Sequence, residues 1–155
     1  MSFYGNEKSW RPTETAFGPL TPQDLYRALG DCWCAETCAP RMRGDWRPED
    51  RTLGQCSVTA FLAQDLLGGE VWGIPLPEGG VHCFNRVQGK DFDLTCEQFH
   101  GAPLDYAHAQ PQSRAEHFAK AEKYARYLLL KEKLAQRINE TEPPAGPQRL
   151  RRQGE

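Results

Sequence analysis

No apolar run in the chain approaches the roughly 18 to 20 positions of a membrane-spanning helix. The opening stretch MSFYGNEKSWRPTETAFG also lacks the apolar core of a secretory signal. Neither a membrane span nor export is therefore expected, and a cytoplasmic location is. Charge of one sign is missing too: 19 Lys and Arg stand against 21 Asp and Glu, and the only basic cluster, Arg149, Arg151 and Arg152, lies in the tail. Without a basic stripe the chain has no electrostatic footprint for nucleic acid. There is no internal repeat and no glycine-rich phosphate loop, since Gly68-Gly69 and Gly79-Gly80 fall where a helix stop and a turn are expected.

What is present reads as one globular domain. The length of 155 residues, with 39% hydrophobic and 26% charged residues, suits a single core with more polar ends. The six cysteines, without an export signal, are expected as reduced thiols rather than a disulfide framework. Cys32, Cys34 and Cys38 invite a zinc reading, but a fourth ligand is not evident, so no metal and no organic cofactor is expected. His100, His108 and His117 are scattered and read as structural or solvated.

Along the chain, residues 1–20 read as an irregular arm anchored through Phe3, Tyr4 or Trp10, residues 21–138 as the single domain, and 139–155 as a disordered, Pro-rich polar tail. Thr21, Pro22 and Asp24 mark the start of a short helix that Gly30 ends. A long loop follows, broken by Pro40, Gly44 and Pro48. From Gln55 onward, Cys56, Thr59, Ala60, Ala63 and Leu67 share one helical face, with Gly68-Gly69 as terminator. EVWGIPLP predicts a strand and GGVHCFNRVQGKDFDLTCEQF a β-hairpin. With Gln88-Gly89 as a two-residue turn, His82, Phe84, Arg86, Asp91, Asp93 and Thr95 share a face and His82 lies diagonal to Asp93; a three-residue turn would reverse that parity. Ser113 and Glu116 predict a capping box for a long helix to about Ile138. It carries two apolar stripes. Phe118, Ala121, Ala125 and Leu129 are expected to dock on the domain; Tyr127, Leu130, Leu134 and Ile138 are expected to meet a partner such as a second copy in a homodimer.

A thiol attacks as thiolate, and a helix N-terminus together with an imidazole lowers its pKa. Cys56 opens a helix, His82 supplies a base, and Asp93 an orienter for the far ring nitrogen, which is the residue set of nucleophilic acyl chemistry. The backbone N–H of Cys56 is one oxyanion donor; Gln55 or the Trp46 indole is the other candidate. Asn85 and Arg86 are candidates to bind substrate. The same residues also read plainly as a small core cysteine, a strand histidine and a hairpin aspartate.

GQCSVTAFLAQDLLGGE and HCFNRVQGKDFDLTCEQF, with the upstream CWCAETC, Trp46 and the late RYLLLKEKL, resemble the YunG-type family of small bacterial proteins over most of residues 21–132. More distantly, GQC, then H-x-x-N-x-V, then D-x-T resembles the transglutaminase-like branch of the papain-like cysteine enzymes. That likeness implies an α+β fold in which a nucleophile helix packs on a small antiparallel sheet, with a long C-terminal helix added, and implies the roles of nucleophile, base and orienter for Cys56, His82 and Asp93. The sequence departs from the papain pattern at Asp50, where a glutamine donor would stand, which turns attention to Trp46. The small chain and the absence of a calcium loop argue against calcium-regulated crosslinking. The expectation is a cysteine hydrolase or acyltransferase acting on an amide, peptide or glutamine side chain. Its rival is a non-catalytic module of the same fold that recognises a peptide or protein partner.

Overall fold

The computed structural model describes residues 2–141. Strands β1 (Thr13–Thr15) and β2 (Gly18–Leu20) form a small antiparallel hairpin within the arm read as irregular. The arm is packed: Phe3 is buried, Tyr4 bridges to Asp93, and Trp10 meets Phe92 edge-on. Helix α1 (Pro22–Gly30) starts as its sequence predicts. Thr21 Oγ1 accepts from Asp24 N, and Asp24 Oδ2 accepts from Thr21 N, so two otherwise orphaned donors are satisfied. The loop that follows holds only short 3₁₀ turns at Ala35–Thr37, Pro40–Asp45 and Pro48–Asp50.

Helix α2 (Cys56–Leu67) buries Ser57 through Ala63 as well as Leu67, so it is covered on nearly every side. A helix apolar all round belongs at the centre of a domain, and α2 packs against the sheet on one side and the C-terminal helix on the other. Phe61, wholly buried at this junction, contributes about 2–3 kcal/mol of apolar transfer.

The sheet contains β3 (Glu70–Pro75), β4 (Val81–Val87), β5 (Lys90–Phe92) and β6 (Gln110–Pro111), in the order β5-β4-β3-β6, all antiparallel. Val87 pairs with Lys90 across Gln88-Gly89, so the turn has two residues. Both take positive φ, 54° and 78°, as this tight hairpin requires. Strand β5 is shorter than the hairpin reading: it stops at Phe92, and Cys96–Phe99 winds into a 3₁₀ turn. Val71, Cys83 and Val87 face α2, while Ile74 and Phe84 face a smaller cluster with Ala109.

The single helix expected from Ser113 is divided into α3 (Arg114–Phe118) and α4 (Ala121–Thr141). Ser113 Oγ does accept from Glu116 N. The docking face is the reverse of the expected one. Tyr127, Leu130, Leu134 and Ile138 enter the core, whereas Ala121 and Ala125 are exposed. Two causes act together. The break at Ala119-Lys120 uncouples Phe118 from the phase of α4, and the leucine stripe has far more apolar area to bury than the alanine stripe. The stripe assigned to a homodimer partner is thus internal. Of the tail, residues 139–141 continue α4 and the rest lies outside the described residues. No described helix is long and apolar enough to cross a membrane.

Candidate functional site

The start of α2 is set by a close approach of backbone. Gly54 has φ of 69°, and a Cβ there would lie 2.5 Å from Cys38 Sγ and 2.9 Å from Ala39 N. Only glycine admits both the left-handed conformation and that contact. Ala39 N donates to Gly54 O at 2.9 Å, fixing the loop beneath the helix start. Gln55 then takes the N-cap position without a side-chain capping bond, and Cys56 the first helical position, at the positive end of the helix dipole.

Asn85 Nδ2 donates to Ala60 O at 2.8 Å and pins α2 to β4. This brings the half-buried Cys56 to the start of β4, its thiol 3.9 Å from Val81 O and within electrostatic range of both the His82 ring and the Cys83 thiol. His82 is 1% exposed, and its Nε2 donates to Asp93 Oδ2 at 2.7 Å. Asp93, one residue beyond β5, is itself wholly buried; it accepts from Tyr106 OH at 2.7 Å and from Thr95 N at 3.2 Å. Tyr4 stacks on Tyr106 at 4.0 Å, and Phe99 meets the His82 ring edge-on at 4.7 Å. The imidazole is therefore held by both Asp93 and Phe99. Its Nδ1 is buried without a hydrogen bond of normal geometry, and with Nε2 occupied it is the nitrogen left open for the thiol. A buried ring nitrogen without a partner calls for a reason.

The titration directions agree. The hydrogen bond from Cys83 outweighs burial and, with His82, holds Cys56 well below the usual thiol range. Burial opposes charging His82, but Asp93 and then Cys56 raise it to about 10. Cys83 is pushed up by its bond to Cys56 and by burial, and burial likewise raises Cys32, Cys38 and Cys96. Cys56 is the one lowered thiol in that set.

The other residues singled out from the sequence have different work. The Trp46 indole donates to Arg51 O at 2.9 Å, inside its own loop. Gln55 Nε2 donates to Cys34 O at 2.9 Å and its backbone N to Thr52 O, which ties the loop to the helix start. Asn85 is the pin described above, and Arg86 pairs with Asp91 at 2.6 Å. Neither Trp46 nor Gln55 has its donor directed at the thiol in this arrangement. Among the described residues no group of three or more His, Cys, Asp and Glu is placed to hold a metal ion. A cleft of about 670 Å³ lies along Tyr4, Tyr106, Glu97, Leu104 and Asp105, on the Tyr106 side of the site and away from Cys56.

From the sequence Tyr4 reads only as an anchor of the arm; the approach of Cys83 to Cys56, the contact of Tyr106 with Asp93 and a polar chain across the α3–α4 break have no local signal. There Lys123 Nζ donates to His117 Nδ1 at 2.8 Å, and His117 Nε2 donates to Gln112 Oε1 at 2.8 Å. Gln112 covers Gly73, the strand partner of Cys83, and Lys123 lies within electrostatic range of both thiols. Burial, then Lys123, lowers His117 to about 4. Its folded pKa is thus below the unfolded value near 6.5, so its contribution to stability is complete above about pH 6.5 and is lost as the pH falls toward 4. Urea unfolding at pH 7 and pH 5 should show a smaller acid loss in His117→Gln than in the parent; equal losses would remove His117 from the acid response.

No solved structure matches the chain. The "Uncharacterized protein YunG" of Bacillus subtilis (strain 168) is 36% identical over 94 residues, which cover 61% of this chain and 78% of that protein. Residues 21–139 match the family described as YunG protein, a span that takes in α1, the Cys56 helix, the whole sheet and nearly all of α4, and the chain belongs to that family.

Proposed function

We propose that the protein is a cysteine-dependent hydrolase or acyltransferase of papain-like or transglutaminase-like organisation, acting on an amide, peptide or glutamine side chain. The observation that carries this reading is the open Nδ1 of a buried His82, anchored through Nε2 to Asp93, beside the lowered thiol of a partly buried Cys56 at a helix start. In the reaction Cys56 Sγ attacks the acyl carbon, the backbone N–H of Cys56 stabilises the oxyanion, and His82 protonates the leaving nitrogen as the C–N bond breaks. Water, deprotonated by His82, or an acceptor amine then cleaves the thioester. Asp93 holds the imidazole in one orientation, and the Tyr106 hydroxyl, whose own ionisation is disfavoured by burial and Asp93, donates to Asp93 and fixes it in place.

The test is acyl-enzyme capture. The protein is incubated with aminoacyl-coumarin amides and with glutaminyl peptides, quenched in acid and mapped by mass spectrometry. An acyl adduct on Cys56 with release of amine or ammonia is expected, and Cys56→Ala should reduce turnover by about 10⁴-fold. Absence of any adduct, with the peptides bound but unchanged, would assign the domain to peptide recognition without catalysis.

A further inference from the structure

Cys83 forms no bond to substrate in the acyl chemistry, yet it is placed with care. The Asn85–Ala60 bond fixes the register of α2 on β4. One helical turn back from Ala60 is about 6 Å, and two strand residues back from Asn85 is about 6.6 Å. Those steps end at Cys56 and Cys83, so the two backbones carry their thiols to the same place. The two thiols are near enough to shift each other's titration, and Cys56 Sγ lies 3.9 Å from Val81 O at the start of β4. Cys56 is only partly buried, while Cys83, beside it, is 1% exposed. An accessible thiolate in front of a sheltered second thiol is the arrangement of a peroxide-reactive cysteine with its resolving partner.

We propose that Cys56 and Cys83 form a reversible disulfide when the protein meets a hydroperoxide, and that this bond switches the site off. The Cys56 thiolate attacks one peroxide oxygen; the O–O bond breaks, and the leaving oxygen takes a proton from His82 to depart as water or an alcohol. Cys56 is then a sulfenic acid. The Cys83 sulfur attacks its sulfur, the S–S bond forms, the S–O bond breaks, and water leaves with the Cys83 proton. Two thiols have given up two electrons and one hydroperoxide has been reduced. The disulfide occupies the nucleophile, and dithiol reduction restores it. Without Cys83, the sulfenic acid would be open to a second peroxide and irreversible oxidation.

The inference needs the Cys56 thiolate but not acyl transfer. Full-length reduced protein is treated with equimolar hydrogen peroxide, quenched with N-ethylmaleimide and mapped without reduction. The expected product is a Cys56–Cys83 cross-linked peptide lighter by two hydrogens, with Cys32, Cys34, Cys38 and Cys96 blocked by maleimide and both thiols recovered after dithiothreitol. In Cys83→Ser, dimedone should trap Cys56 sulfenic acid, and excess peroxide should add two oxygens to Cys56 without recovery. The wild-type map decides the matter even where that variant folds poorly. The proposal is overturned by a wild-type Cys56 that over-oxidises with no cross-link, or by a cross-link to any other cysteine. Rapid iodoacetamide labelling of Cys56 without the disulfide would sink this inference and leave the nucleophile standing. A disulfide without any acyl adduct would do the opposite.

Discussion

Replacing His82 with glutamine should slow iodoacetamide alkylation of Cys56 at pH 6 by up to about 30-fold, the limit set by full return to an ordinary thiol while Cys83 stays in place. An ordinary thiol of pKa about 8.5 is about 1 part in 300 thiolate at that pH, and the weaker nucleophilicity of a low-pKa thiolate takes back about a power of ten. Glutamine retains a donor for Asp93, which is wholly buried and would be costly to leave unpaired. The pH profile carries a second signature. The thiolate–imidazolium pair exists between the lowered pKa of Cys56 and the value of about 10 to which His82 is raised. Labelling of the parent protein should therefore rise at acid pH and stay level across neutrality, with a further change only as His82 loses its proton near the upper limit. In His82→Gln the acid limb should move toward the ordinary thiol range. Peptide mass spectrometry reads every cysteine at once, and Cys34 and Cys96, half-buried like Cys56, serve as internal controls. An unchanged Cys56 rate in the variant would show that His82 does not sustain the thiolate.

Leu134→Ala should cost about 3 kcal/mol of stability, while Leu128→Ala should change it by about 0.5 kcal/mol or less. Leu134 is wholly buried between α4 and the rest of the core, and Leu128 is 43% exposed on the other side of the same helix. The contrast tests the docking face directly. Chemical denaturation read by tryptophan fluorescence is a suitable measurement. A cost at Leu128 equal to that at Leu134 would mean that α4 buries both faces in solution, as a dimer would require.

Much of the local structure was legible. Thr21, Pro22 and Asp24 dictate a helix start because an oxygen acceptor and a missing N–H meet the needs of a first turn wherever it sits. Gln88-Gly89 dictates a tight hairpin, and strand parity then puts His82 and Asp93 on one face. The irregular arm was legible only in part: its aromatic anchors were visible, but three-residue strands such as β1 and β2 carry too little period to be read. The docking stripe of α4 was misread because periodicity identifies apolar faces without ranking them, and the Ala119-Lys120 break leaves no strong local mark such as proline.

For the site, the sequence by itself determined that Cys56 stands at a helix start and, given a two-residue turn at Gln88-Gly89, how His82 relates to Asp93, since both follow from short-range rules of capping and pleat. The tertiary structure alone decided that Cys83 backs Cys56, that Tyr106 and Tyr4 close over Asp93, that Asn85 pins a helix, and that the donors of Trp46 and Gln55 stay within the loop. These are contacts between segments far apart in the chain. Their register is set by how α2, the sheet and the loop pack together, and no spacing within a segment encodes that.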